Sequence, residues 1–121
     1  MRPADFRDIA AAYAAIGRAI KRGEAAIEED FAFHCSIAAA THNPQFARFL
    51  DYLGRFIIPR QTIRVARNSA ERTAYLRTIQ MEHLAILTAI RTRSVAKART
   101  AMHTHLLNSR KRYERLAAQQ G

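Results

Sequence analysis

Residues Ser69–Arg91, SAERTAYLRTIQMEHLAILTAIR, decide the fold class. Tyr75, Leu76, Ile79, His83, Ile86, Leu87 and Ile90 recur at the spacing that lines one face of an α-helix. Working toward the C-terminus, Ser94 is an N-cap for a last helix. That helix carries Ala98, Ala101, Met102, His105, Leu106, Ser109, Tyr113 and Leu116 on its inner side, and Ala117–Gly121 is expected to fray. Working toward the N-terminus, the periodicity is lost from Arg60 to Asn68, which reads as a loop or a frayed helix end. Before it, Asn43 caps and Pro44 opens a third helix with Phe46, Phe49, Leu50, Leu53, Phe56 and Ile57 inward, and Pro59 marks its kink or end. A second helix spans about Glu24–Thr41, with Glu24, Glu28 and Glu29 at the positive end of its dipole. The first spans about Ala4–Arg22, with Phe6, Ile9, Tyr13, Ile16 and Ile20 on one face and Gly23 as a left-handed terminator. An all-α antiparallel bundle of about five helices is expected, with no internal repeat.

Length and composition bound the rest. The 121 residues, 49% of them apolar, suit a single helical domain with one core. Apolar runs such as Ile9–Ile16 fall far short of the ~20 residues a bilayer span needs. Met1–Asp8 carries both charge signs and has no apolar stretch of the secretory type, so a cytoplasmic location is expected. Cys35, the one cysteine, reads as a small buried hydrophobe. The net charge is +10, and 17 of the 20 basic residues are arginine, which invites a nucleic-acid reading. Three features oppose it. The basic residues are dispersed, the longest run being Arg110-Lys111-Arg112; tryptophan is absent and nearly every phenylalanine sits at an apolar helix position; and no short polar recognition helix is visible. Solvated arginines, or a surface that attracts a small anion, fit better.

The chemistry lies in four residues. Asp30 and His34 are four apart on the second helix, stacked on one face, where a metal ion can bridge them. His83 interrupts the apolar stripe of Ser69–Arg91, and His105 falls between Met102 and Ser109 on the inner side of the last helix. A buried imidazole needs a partner for both of its nitrogens. One carboxylate and three imidazoles suit one divalent transition metal, zinc in first place, with nickel, manganese and iron as alternatives. His103 points about 200° away from His105 and His42 lies at a helix end, so both are set aside as surface or capping residues. A divalent ion with one carboxylate keeps a positive charge and open positions, and should attract a small organic acid. Arg60 and Arg64 are candidates for the acid's second anchor. No catalytic triad or glycine-rich phosphate loop is present, and Glu82-His83 lacks the His-Glu-x-x-His spacing of zinc proteases.

The order of these motifs resembles the FCD domain, the ligand-sensing C-terminal domain of FadR-type GntR transcriptional regulators. Asp30-Phe31-Ala32-Phe33-His34 is similar to that family's Asp-x-x-Phe-His segment, and Thr41-His42-Asn43-Pro44 to the helix junction that follows it. Glu82-His83-Leu84-Ala85-Ile86-Leu87-Thr88-Ala89-Ile90 resembles its Glu-His-x-x-Ile-x-x-Ala-Ile helix, and Ala101-Met102-His103-Thr104-His105-Leu106 its closing Met-x-x-His-Leu. The likeness runs from about Phe6 to Arg112. It implies a helical bundle in which Asp30, His34, His83 and His105 hold a metal beneath a pocket for a small carboxylate effector. It further implies that effector binding alters how a dimer grips operator DNA. The winged helix-turn-helix and most of the first sensor helix of that family have no counterpart in the sequence, so operator DNA is expected as a partner only through a domain outside it. Self-association is expected, and no catalytic activity. Two other readings stand beside this one. A small metallohydrolase or lyase would need a general base, for which only Glu82 and Asp51 are candidates. A metal-free dimerisation module would be indifferent to chelators.

Overall fold

The computed structural model describes residues 2–45, 48 and 69–120, and these are helical apart from caps and turns, with no strand among them. Four helices are described: α1 (Pro3–Lys21), α2 (Ile27–Ala40), α3 (Ser69–Arg91) and α4 (Val95–Gln120). The chain divides into two compact units, residues 1–62 and 63–121. α1 packs on α2 in the first, and α3 on α4 in the second.

In the first unit, Pro3 opens α1, where its missing N–H costs no hydrogen bond, and the Asp5 carboxylate accepts the Arg2 backbone N–H at 2.8 Å. Ile9, Ile16, Ala19 and Ile20 form the buried face. α1 stops at Gly23, whose φ of +82° lets its N–H reach the Ile20 carbonyl and lets the Glu24 N–H reach that of Ala19. A Cβ built on Gly23 would meet nothing within 4 Å, so its backbone conformation, and no shortage of space, calls for glycine there. This turn delays α2. The expected start at Glu24 gives way to Ile27, because Glu24 serves the end of α1 and its carboxylate pairs with Arg22 at 2.9 Å. Glu28, Glu29 and Asp30 occupy the first turn of α2. Phe33, fully buried, faces the Tyr13 ring of α1 at 6.4 Å. His42, left-handed at φ 57°, sets its Nε2 2.9 Å from Asp5 Oδ2 and so fastens the end of α2 to the start of α1. Asn43 then accepts the Gln45 N–H at 3.0 Å and Pro44 is helical, as its N-cap and first-turn roles require. The expected third helix beyond this point, with Phe46 to Ile57, lies almost entirely outside the described residues.

In the second unit, α3 has the bounds read from its periodicity, and His83, Ile86, Leu87 and Ala89 are its buried residues. Thr92, Arg93 and Ser94 connect it to α4. Arg93 takes the left-handed conformation at φ 59°, so that its N–H meets the Ile90 carbonyl and the Ser94 N–H that of Ala89. Ser94 Oγ then accepts the Lys97 N–H at 3.2 Å, the expected N-cap. α4 departs from expectation twice. It continues to Gln120 through the region expected to fray, which contains good helix formers. Its inward face also turns out rotated: Leu106 and Tyr113 are exposed at 56% and 44%, whereas Arg112 is only 8% exposed. Among the described residues no helix is long and apolar enough to cross a membrane.

Candidate metal centre

On α2, one helical turn brings Asp30 and His34 together, with His34 Nε2 at 3.3 Å from Asp30 Oδ1. The imidazole is partly buried and meets the Phe33 ring edge-on at 5.5 Å, while the carboxylate is more open to solvent. The pairing expected from the four-residue spacing is present.

On α3 and α4, His83 and His105 are both buried and their rings approach to 4.6 Å in an edge-on arrangement. Each Nδ1 faces an oxygen acceptor: Gln80 Oε1 at 2.8 Å from His83, and Glu82 Oε1 at 2.7 Å from His105. A ring that donates its proton from Nδ1 carries the lone pair on Nε2. At His105 the carboxylate only accepts, so a neutral ring donates from Nδ1 and keeps Nε2 for a metal; at His83 the Gln80 oxygen is compatible with the same form. The donor chemistry of these residues therefore fits a transition metal.

Glu82, in sequence a candidate base, is the centre of a polar cluster. Its Oε1 accepts from His105 and from an Arg112 terminal nitrogen at 2.7 Å; its Oε2 accepts from the other Arg112 nitrogen at 2.8 Å and from Asn108 at 3.1 Å. Ser109 Oγ takes a further Arg112 donor at 3.1 Å. Burial pushes the Glu82 carboxyl up, but the bonds from Arg112, His105 and Asn108 outweigh it and hold the group at about 2. So acidic a carboxyl is a poor proton acceptor near neutral pH, which weakens the hydrolase reading. Asp51, the other base candidate, lies outside the described residues, as do Arg60 and Arg64. Arg112, met in the sequence as part of the longest basic run, is buried against this carboxylate. The available signal was the step from His105 through Asn108 and Ser109 to Arg112, which places them along one stripe of α4.

No curated protein and no solved structure matches the chain. The profile of the FCD domain family matches residues 1–108, which include Asp30, His34, His83, Glu82 and His105. With nine-tenths of its length under that match and an all-helical fold, the chain belongs to the FCD domain family.

Proposed function

We propose that this chain is the metal-dependent effector-sensing part of a bacterial GntR/FadR-type transcriptional regulator. Family membership supports effector sensing, since FCD domains are associated with regulators of that kind. The observation that carries metal dependence is the paired presentation of His83 and His105, buried, 4.6 Å apart and each held at Nδ1 by an oxygen. Asp30 and His34 complete the proposed ligand set, with zinc the first candidate. The bound ion would supply an electrophilic position for a small carboxylate, whose second anchor we assign to Arg60 or Arg64. Binding would change how the full-length dimer holds its operator. Exposed Met81, Leu84 and Val95 on the second unit support self-association.

Elemental analysis of untagged protein, with thermal melts in the presence and absence of chelator, tests this reading. The expected result is about one transition metal per chain, a lower melting temperature in chelator, and loss of both signals in His83→Ala. Small organic acids should raise the melting temperature of the metal-loaded protein. No metal and no chelator effect, even after zinc is restored, would refute the site.

A further inference from the structure

We infer that Glu82 is a positioning residue for His105, clamped by Arg112 and Asn108 so that the imidazole is held in the Nδ1–H form with Nε2 as its donor atom. This inference rests on the metal reading for its purpose, but its structural content stands apart from it.

The Glu82 carboxylate receives four donors, two on each oxygen: His105 and Arg112 on Oε1, Arg112 and Asn108 on Oε2. An ionised carboxylate has about four lone-pair sites, so this one is saturated. It can neither rotate nor offer an oxygen elsewhere without breaking a charge-assisted bond. The two-pronged Arg112 contact fixes the plane of the carboxylate, and Asn108 fixes its second oxygen from the same stripe of α4 that carries His105.

The contrast with Gln80 sharpens the point. An amide can turn either an oxygen or an NH2 toward the ring of His83, whereas a carboxylate only accepts. At His105 the neighbour therefore dictates which nitrogen bears the proton. An ion pair serving stability alone would be complete with Arg112; the 2.7 Å bond to His105 adds direction to a ring that is itself buried. Glu82 acts through His105 and is not itself offered to the ion.

The test uses the whole chain in four forms: parent, Glu82→Ala, Glu82→Gln and, as control, His103→Ala at an exposed site. Zinc is titrated in competition with a colorimetric chelator, and the His105 tautomer is read from imidazole 15N shifts in metal-free protein. The expected result is a ~10–100-fold loss of zinc affinity in Glu82→Ala, a smaller loss in Glu82→Gln, which keeps one oxygen for the ring, and none in the control. The tautomer should be Nδ1–H in the parent and mixed in Glu82→Ala. Tight zinc binding with parent-like affinity in Glu82→Ala would overturn the inference and leave the metal reading intact. If the parent binds no zinc, the metal reading fails and the tautomer decides: Nδ1–H lost on substitution supports positioning, and an unchanged ring overturns it. Should Glu82→Ala not fold, Glu82→Gln carries both readouts, with parent-like affinity and tautomer as the refuting result.

Discussion

Glu82 and Arg112, thirty residues apart in sequence, form a two-pronged ion pair with contacts of 2.7 and 2.8 Å between α3 and α4. Arg112 is among the least exposed polar residues described, so its charge is matched where solvent can do little for it. Removing one member strands the other, and the cost of a stranded charge exceeds the net worth of the pair. In metal-free protein, Arg112→Met should lower unfolding free energy by about 2–3 kcal/mol, the scale of hydrogen bonds to charged groups. Urea denaturation measures it. A loss no larger than that of an exposed control such as Arg99→Met would show that the pair does not hold α4 against α3.

The same carboxylate makes stability depend on acid. Glu82 is lowered from 4.5 to about 2 in the folded protein, so its contribution is complete above about pH 4.5 and is lost as pH falls from there toward 2. Asp5, lowered from 3.8 chiefly by the Arg2 backbone N–H and then by His42, acts in the same direction. With chelator present, parent and Glu82→Gln should differ most near neutrality and converge as pH falls through that window. A stability gap that stays constant from pH 6 to pH 3 would contradict the assignment.

The left-handed residues that close α1 and α3 call for opposite substitutions. Gly23→Ala places a Cβ in a strained conformation and should cost about 1 kcal/mol. Arg93→Gly relieves the same strain at the end of α3 and should stabilise by a few tenths to about 1 kcal/mol. Thermal or urea melts of the two variants check the signs. Destabilisation by Arg93→Gly would mean that the arginine side chain is worth more than its backbone conformation costs.

Phe33 is the largest fully buried side chain among the described residues and lies between α1 and α2. Phe33→Ala should destabilise by about 3–5 kcal/mol. Because Phe33 also meets the edge of His34, the smaller Phe33→Leu should leave the fold standing while freeing that ring, seen as broadened His34 resonances.

Self-association follows from the proposed role in a dimeric regulator. Sedimentation across a concentration series should give a mass above 13.7 kDa, and Met81→Lys with Leu84→Lys should return it toward the monomer. A monomeric parent at every concentration would remove the dimer from the proposal.

The described helices and the Asp30–His34 contact were legible in the sequence because they depend on neighbours along the chain. The bounds of α3, the left-handed Gly23, the Ser94 cap and the Asp30–His34 contact all follow from steps of one helical turn or less. The late start of α2 was missed since Gly23 and Glu24 can end one helix as readily as begin the next. Tertiary structure decided what lies across two helices. Arg110-Lys111-Arg112 looks like a solvated basic run, and periodicity alone would turn Leu106 and Tyr113 inward. A carboxylate on α3 instead draws Arg112 into the helix interface, because a buried charge must find its counterion, and the rotation that satisfies it turns those two apolar side chains toward solvent. The sequence determined which helices carry the candidate ligands; the packing of α3 on α4 decided that the Nδ1 of His105 meets Glu82.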